Sequence, residues 1–159
     1  MAILRDLGTN AALPLAARLV VGRATTAALR VQDKRVSGEH ATVRWTGSNW
    51  EVRDLGSRNG TFVDGQRVGA GESASLSLGS QVSFGDPVAQ YELIDAGAPG
   101  AVARDIRTGA LIGAKDGLLG LPSADQPEIV VYCDLSGVWL AEAGDERREI
   151  TDGDVVEAG

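Results

Sequence analysis

Four residues of this sequence can supply the groups that bind an anion. Arg23 offers a guanidinium and Ser37 a hydroxyl. Arg58 and Asn59 precede a glycine, which lets the backbone of a turn approach a ligand closely. A phosphate monoester carries a charge of about −1.5 to −2 and strong acceptor oxygens, so donors of these kinds would bind it if they converged. Residues 18–58 contain eight basic and four acidic residues, and this excess of positive charge also favours an anion.

Catalytic, metal and cofactor chemistry is not indicated by the sequence. His40, the only histidine, follows Ser37 by three positions, but no acid is placed to orient a catalytic pair and no Gly-x-Ser-x-Gly elbow is present. The single cysteine, Cys133, excludes an internal disulfide bond and most cysteine-based zinc sites. Gly69 and Gly71 have the spacing of the first two glycines of a dinucleotide-binding loop, but the third glycine is missing. The sequence also contains no Walker loop. We therefore expect no catalytic residue, no metal and no cofactor.

The residues around these groups alternate between apolar and polar types, which is typical of β-strands. Of the 159 residues, 21 are glycine and only 4% are aromatic, and frequent glycines between short apolar runs predict many turns. The spacing of the runs favours an all-β fold of the sandwich type. A helix over residues 11–19 is conceivable, but Pro14 would break it. In the first part of the chain we predict strands over residues 41–45, 50–53, 61–63, 66–68, 73–76, 81–84 and 90–94.

A small segment rich in Gly and Pro, residues 96–100, predicts a linker between two parts of the chain. Residues 1–95 contain equal numbers of basic and acidic residues, so the net charge of −7 arises entirely after them. This acidic balance argues against nonspecific nucleic-acid binding by the chain alone, and no apolar stretch is long enough to span a membrane. In the acidic C-terminal part, residues 101–159, we predict strands over 102–106, 128–132, 138–141 and 154–156.

The C-terminal part shows a weak similarity to the first part. Segment 46–50 resembles segment 135–139, and segment 79–85 resembles segment 153–159. The two segments of the C-terminal part lie 15 positions closer to each other than the two segments of the first part do. Residues 54–68, which include a predicted hairpin, account for a difference of this length. One interpretation is a degenerate repeat that lacks this hairpin and stops one strand short, which implies a longer natural protein. The other is a chance likeness between Gly-rich strand-and-turn sequences.

Three segments, in this order and at this spacing, resemble the forkhead-associated (FHA) domain family. They are Val21-Gly22-Arg23, residues 35–41 (Arg-Val-Ser-Gly-Glu-His-Ala) and residues 54–63 (Asp-Leu-Gly-Ser-Arg-Asn-Gly-Thr-Phe-Val). The resemblance covers about residues 3–95. It implies an FHA-type β-sandwich of about eleven strands in residues 1–95, with phosphothreonine bound by loops at one end. A smaller β-rich unit would follow, and it would be a truncated FHA-like unit if the repeat is real.

The resemblance also implies roles for individual residues. Arg23, Ser37 and Arg58 are expected to contact the phosphate. Asn59 is expected to anchor the backbone of the peptide and to shape the space for the threonine methyl group. Many family members carry threonine at the position of Arg58, where arginine is a common alternative that adds positive charge.

The loop around Ser37 departs from the family pattern. Many members carry Asn, Arg or Lys directly after the serine, whereas Gly38 offers only its backbone. Arg35 or Lys34 on the same loop could compensate, although either could equally be a solvated side chain. Ser57 is a further candidate for contact with the phosphopeptide. The residues expected to support the site are Gly22, His40 and Gly60.

The function implied by the resemblance is phosphothreonine-dependent binding of proteins that a Ser/Thr protein kinase has modified. The single cysteine and the absence of a signal peptide at the first residues favour the reducing cytoplasm. Two alternatives are the sensory part of a larger transcriptional regulator and an FHA-fold scaffold that associates without phosphate. A hydrolase is the least favoured interpretation, because no nucleophile–base pair can be identified.

Overall fold

The computed structural model describes residues 1–158, which fold into strands, turns and irregular segments without a helix. They form two compact units: a first unit, Met1–Pro99, and a second unit that begins at Gly100. No helix forms over residues 11–19, as Pro14 led us to expect; Ala12–Pro14 is instead a strand at a sheet edge, where a proline is tolerated. Among the described residues, no helix is long and apolar enough to cross a membrane.

The first unit contains eleven strands, which agrees with the number expected from the sequence. They are β1 (Ala2–Asp6), β2 (Ala12–Pro14), β3 (Arg18–Gly22), β4 (Leu29–Arg30), β5 (Ala41–Trp45), β6 (Trp50–Asp54), β7 (Thr61–Val63), β8 (Gln66–Val68), β9 (Ser73–Leu76), β10 (Gln81–Phe84) and β11 (Tyr91–Ala96). A six-stranded sheet has the order β2-β1-β11-β10-β7-β8, and a five-stranded sheet has the order β4-β3-β5-β6-β9. The two sheets form an all-β sandwich.

Apolar side chains that both sheets direct inward hold the sandwich together. Leu4, Phe84 and Leu93 of the six-stranded sheet are fully buried, and so is Trp50 of the five-stranded sheet. Trp50 also donates a hydrogen bond from Nε1 to the carbonyl oxygen of Gly97 at 2.9 Å, which satisfies its buried polar atom. Burial of each such side chain contributes about 1.5–3 kcal/mol, so the two sheets form a firm frame for the loops.

The strand register brings several loops to one end of the sandwich, which we call the site end. Ala41, at the start of β5, faces both Val21 near the end of β3 and Asp54 at the end of β6. Thr61, at the start of β7, faces Phe84 at the end of β10. Because the chain passes from β6 directly to β7, these strand ends of the two sheets lie together. The loops at the site end are residues 23–28, 31–40, 55–60 and 85–90.

The second unit contains six strands around a small apolar core. They are β12 (Val102–Arg104), β13 (Leu111–Gly113), β14 (Leu118–Leu121), β15 (Ile129–Cys133), β16 (Trp139–Ala143) and β17 (Glu146–Glu149). β12 and β13 form a hairpin, and the other four form an antiparallel sheet in the order β14-β15-β16-β17. The buried core residues are Leu119, Leu121, Ile129, Val131 and Ala141.

The strand predicted over residues 154–156 is wrong, and a strand at Glu146–Glu149 takes the last position in the sheet. Hydrogen-bonded pairing with a neighbouring strand explains this difference better than the pattern of apolar and polar residues does. Glu146–Glu149 pairs with Trp139–Ala143 along its whole length, although all four of its residues are charged. Residues 155–158 have no neighbouring strand in the described part of the chain, so their apolar character does not produce a strand.

Substitution of Leu4 tests the position of the core. Leu4→Ala removes a fully buried side chain, and we expect it to lower the free energy of unfolding of the first unit by about 2–5 kcal/mol. Leu78→Ala removes the same atoms from a side chain that is 69% exposed, and the expected change is below about 0.5 kcal/mol. Denaturation followed by tryptophan fluorescence measures both values. Equal effects of the two substitutions would contradict the described core.

Candidate functional site

Direct hydrogen bonds join the loops at the site end. The backbone N–H of Arg23 donates to the carbonyl oxygen of Ser37 at 2.9 Å. The backbone N–H of Arg58 donates to the hydroxyl oxygen of Ser37 at 3.2 Å. The side-chain amide of Asn59 donates from Nδ2 to the carbonyl oxygen of Arg35 at 2.8 Å. The structure therefore brings together the four residues from which the sequence predicts an anion-binding site.

Three cationic side chains at this end have no partner among residues 1–158. Arg23, Lys34 and Arg58 are exposed, and within residues 1–158 their charged groups form no hydrogen bond or ion pair. The hydroxyl of Ser37 accepts one hydrogen bond, and its own proton can still be donated. The site end thus presents uncommitted donors and positive charge to solvent, which is what an incoming anion requires.

Arg35 is committed to other protein groups. Its guanidinium forms one ion pair with Asp33 at 2.6 Å and another with Asp86. The side-chain hydrogen bond from Arg35 is the main reason that the pKa of Asp33 is lowered from 3.8 to about 2. Asp33 in turn raises the pKa of the Arg35 guanidinium. Arg35 therefore connects the 31–40 loop to the 85–90 loop and is not a free cation.

The carboxylate of Asp54 organises the 55–60 loop from below. It is buried, with 1% of its surface exposed. Oδ2 accepts the backbone N–H groups of Gly56 and Ser57, both at 2.9 Å. Oδ1 accepts the hydroxyl groups of Ser57 at 2.5 Å and Thr61 at 2.8 Å. Burial alone would raise the pKa of Asp54, but these hydrogen bonds together outweigh it and hold the pKa below its ordinary value.

The structure uses Ser57 inside the loop. Its hydroxyl donates to Asp54 and accepts the backbone N–H of Gly60 at 3.0 Å, so the group that the sequence suggested for ligand contact is occupied. Asp54 and Thr61 both shape the loop, although the sequence motifs gave neither of them a separate role. The signal was an aspartate followed at two and three positions by glycine and serine, which is the pattern of an Asx turn.

His40 is fully buried and connects two loops. Its Nδ1 accepts the backbone N–H of Ser37 at 3.0 Å, so Nε2 carries the proton and donates to the carbonyl oxygen of Gly60 at 2.8 Å. The ring also packs edge-on against Phe84, with 5.7 Å between centroids. Neither ring nitrogen is available to the hydroxyl of Ser37, so the pair has the geometry of a support and not of a catalytic dyad.

Two glycines at the site end are required by the backbone. A Cβ atom on Gly22 would collide with the carbonyl oxygen of Gly38, so only glycine lets the 31–40 loop lie this close to β3. Gly60 has a φ of 92° and a Cβ atom there would lie 2.7 Å from Nε of Arg67. Gly38 itself contributes only its backbone, whose carbonyl oxygen accepts the N–H of Ala24 at 3.1 Å.

The structure offers no obvious place for a metal ion. Among residues 1–158, no group of three or more His, Cys, Asp and Glu side chains is arranged to hold one.

Removal of the Asp54 carboxylate tests its role in the loop. Asp54→Ala leaves several buried donors without an acceptor, and we expect a loss of at least about 2 kcal/mol in the free energy of unfolding. Because the pKa of Asp54 is depressed in the folded state, its contribution is complete above the unfolded pKa, near 3.9, and is lost as pH falls through the folded pKa. The wild type should therefore lose stability over that acidic window more steeply than the variant.

Thermal unfolding between pH 2 and pH 7 measures both effects. Glu39→Gln is the control, because Glu39 is exposed and forms no hydrogen bond or ion pair among the described residues. It should leave the melting temperature nearly unchanged. Identical pH profiles for wild type and Asp54→Ala would mean that the carboxylate is not the acceptor described above.

Comparison with known protein families and curated proteins points to one domain type. Residues 19–85 match the family model described as FHA domain. The FHA domain-containing protein FhaB of Mycolicibacterium smegmatis is 36% identical over 70 residues, which cover 44% of this chain and 44% of that protein. Protein phosphatase 2C 70 of Arabidopsis thaliana is 34% identical over 66 residues, 40% of this chain and 11% of that protein. The chain therefore spans less than half the length of these curated relatives.

Solved structures share the fold of the first unit. The structure of Mycobacterium tuberculosis EmbR in complex with a low-affinity phosphopeptide is 30% identical with a TM-score of 0.54, and it covers 62% of this chain and 26% of that chain. The FhaA FHA domain, complexed with the intracellular domain of Rv3910, is 27% identical with a TM-score of 0.51, and it covers 58% of this chain and 99% of that chain. Sequence, strand number and fold agree: residues 19–85 of the first unit match the forkhead-associated domain model, and the first unit has the fold of solved FHA domains.

Proposed function

We propose that the first unit binds proteins phosphorylated on threonine, and that it does so at the site end without catalysing a reaction. The observation that carries this proposal is the set of uncommitted donors from Arg23, Ser37 and Arg58 on loops that are held in place by buried hydrogen bonds. A rigid surface with free donors binds an anion well, because little conformational entropy is lost on binding.

Each donor suits a different part of the phosphate. The guanidinium of Arg23 can form two parallel hydrogen bonds to phosphate oxygens, and this is the strongest contact available at the site. The hydroxyl of Ser37 supplies a single neutral donor. Arg58 adds a second guanidinium, and its backbone N–H already points at the Ser37 hydroxyl, at 3.2 Å. Lys34 contributes positive charge from the same loop as Ser37.

The peptide backbone is a second element of recognition. Asn59 uses Nδ2 to hold the carbonyl oxygen of Arg35, and its Oδ1 remains able to accept an N–H from a bound peptide. Arg35 and Ser57 act as supports, because ion pairs and loop hydrogen bonds already occupy their side chains. The binding residues that we propose are therefore Arg23, Ser37, Arg58 and Asn59, with Lys34 and the backbone of Gly38 beside them.

Solved relatives support this assignment. EmbR has been solved in complex with a low-affinity phosphopeptide, and the FhaA FHA domain in complex with the intracellular domain of another protein. For the present chain we propose that a Ser/Thr protein kinase, acting in the cytoplasm, generates the phosphothreonine ligand. A phosphate-independent scaffold would have no need of unpaired donors clustered on braced loops, which is why we favour phosphate recognition.

Substitution of Arg23 tests the proposal directly. Loss of charge-assisted hydrogen bonds costs about 1.5–3 kcal/mol, so Arg23→Ala should weaken binding by about 10- to 150-fold. The control is Arg18→Ala, an exposed arginine at the other end of the same strand, which faces Arg44 and should leave affinity unchanged. The probe is a peptide selected from a library with one fixed phosphothreonine, and calorimetry compares it with its unphosphorylated form.

Both variants should have the circular dichroism spectrum of the wild type, because both side chains are exposed. Equal affinity for the phosphorylated and unphosphorylated peptides would refute the proposed function. An Arg18→Ala variant as weak as Arg23→Ala would show that overall charge, and not the site end, governs binding.

The affinity of the site end should depend on both the threonine methyl group and the phosphate charge of the ligand. Replacing phosphothreonine by phosphoserine removes one methyl group, worth about 0.8 kcal/mol, and should weaken binding by about fourfold. Glutamate should not substitute, because it has fewer acceptors and about half the charge.

One phosphopeptide should bind per chain, because the second unit lacks the phosphate-binding arginine. Gly22 is followed by Arg23 in the first unit, whereas Gly120 is followed by Leu121 in the second. Titration calorimetry gives affinity and stoichiometry together, and two sites per chain would contradict this account.

A further inference from the structure

Arg67 is an exposed arginine beside the site end. It lies on β8, the strand at one edge of the six-stranded sheet, and faces Phe62 of β7. The next residue, Val68, faces Thr61, where β7 begins at the site end. Arg67 is therefore one position away from the site end, close enough for its long side chain to reach the loops there.

The side chain of Arg67 covers Gly60 in the 55–60 loop. A Cβ atom on Gly60 would lie 2.7 Å from Nε, 3.0 Å from Cζ and 3.2 Å from Nη2 of Arg67, so the guanidinium fills the space that a side chain would take. Gly60 is buried, whereas the two residues before it, Arg58 and Asn59, are exposed. The guanidinium of Arg67 thus lies beside the loop that carries two of the proposed binding residues.

The contact with Gly60 does not use the hydrogen-bonding groups of the guanidinium. The N–H of Gly60 donates to the hydroxyl of Ser57 at 3.0 Å, and its carbonyl oxygen accepts bonds from His40 and Gly85 at 2.8 Å each. Within residues 1–158, the guanidinium of Arg67 forms no hydrogen bond or ion pair. An arginine has five N–H donors, and those of Arg67 remain available to a ligand.

The charges on one side of Asn59 balance one another. Asn59 donates from Nδ2 to the carbonyl oxygen of Arg35, whose guanidinium pairs with Asp33 and Asp86. Lys34 lies between Asp33 and Arg35 in the chain. These two acidic and two basic side chains sum to zero, so this side of Asn59 offers no net attraction to a further anion.

The charges on the other side of Asn59 are not balanced. Arg58 precedes Asn59, and Arg67 lies against the glycine that follows it. Neither guanidinium has a carboxylate within ion-pair distance among the described residues. A peptide that crosses Asn59 therefore meets two uncompensated positive charges on this side, where an acidic group would be attracted.

We infer that Arg67 binds a second anionic group of the ligand, a carboxylate or a phosphate close to the phosphothreonine. The inference rests on the proposed function and adds a residue that determines specificity. A guanidinium can direct two parallel N–H groups at either kind of anion. Asn59 and Gly60 are consecutive, with Cα atoms about 3.8 Å apart, and an extended peptide advances about 3.3 Å per residue. The second anion should therefore lie within about three residues of the phosphothreonine.

A purely structural role for Arg67 leads to a different expectation. Covering Gly60 requires the length of the side chain and its apolar stem, but not its charge. If Arg67 only covered the loop, removal of its charge would alter the affinity for acidic and neutral phosphopeptides by the same factor. The preference between two such peptides therefore distinguishes the two roles.

The test uses the full chain and phosphothreonine peptides whose other residues are neutral. Glutamate is placed in turn at each of the three positions before and after the phosphothreonine, and each peptide is paired with one that carries glutamine there. Calorimetry measures the ratio of the two affinities. We expect glutamate to strengthen binding by at least about threefold at one position or at neighbouring positions on the same side of the phosphothreonine, as an exposed ion pair would.

Three variants connect this preference with Arg67. Arg67→Gln removes the charge but keeps a side chain that can cover Gly60, and it should make the glutamate and glutamine peptides bind equally well. Arg67→Lys keeps the charge without the paired N–H groups and should retain part of the preference. The control is Arg18→Gln, because Arg18 is also exposed and unpaired among the described residues but lies at the other end of β3. It should keep the full preference.

Phosphoserine at the preferred position separates the two sources of the second anion. Its charge is larger than that of glutamate, so it should strengthen binding more if Arg67 accepts both groups. Arg67→Gln should then remove most of each gain. A gain from phosphoserine without one from glutamate would assign the position to a second phosphate, and the reverse would assign it to a carboxylate.

Two results would overturn the inference while leaving the proposed function in place. One is the absence of any gain from glutamate or phosphoserine at all six positions, although the phosphothreonine peptides bind better than their unphosphorylated forms. The other is a preference that persists in Arg67→Gln or is lost equally in Arg18→Gln. Failure of every phosphothreonine peptide to bind would instead refute the proposed function, and the inference with it.

Discussion

The buried carboxylate of Asp54 is the interaction on which the site end depends. A charge in this position is stable only because four donors meet it, two from the backbone and two from hydroxyl groups. These bonds fix the 55–60 loop and so place the carbonyl oxygen of Gly60 where His40 and the N–H of Gly85 can both reach it, at 2.8 Å each. One charged group beneath the surface thereby sets the relative positions of the loops above it.

The arginines at this end of the sandwich show how neighbouring charges decide the role of a side chain. Arg35 lies beside Asp33 and Asp86, and its charge is neutralised within the protein. Arg23 and Arg58 have no acidic neighbour within bonding distance among the described residues, so their charge is presented to solvent. The same type of side chain therefore connects two loops in the case of Arg35 and stays exposed in the case of Arg23 and Arg58. The difference depends on whether the fold places a carboxylate beside it.

The sequence predicted those features that local pattern controls. Alternation identified most strands of the first unit, because it depends on residues close in the chain. Asn59-Gly60 is a hairpin signal in the sequence, but in the structure it lies in the loop that takes the chain from β6 in one sheet to β7 in the other. The sequence misplaced the last strand of the second unit, since residues 155–158 have the right composition but no partner. It could not assign Arg35, which pairs with the nearby Asp33 and also with Asp86, 51 positions away in the chain. Pairing across long separations is settled by the fold and not by composition.

Comparison of the two units separates the frame of the sandwich from its binding loops. The first unit has fifteen buried residues in its apolar core, whereas the second has five. Burial of apolar surface is the main stabilising contribution in a small domain, so a unit of about sixty residues with this core is only marginally stable. The larger core of the first unit therefore supports its binding loops before a ligand arrives.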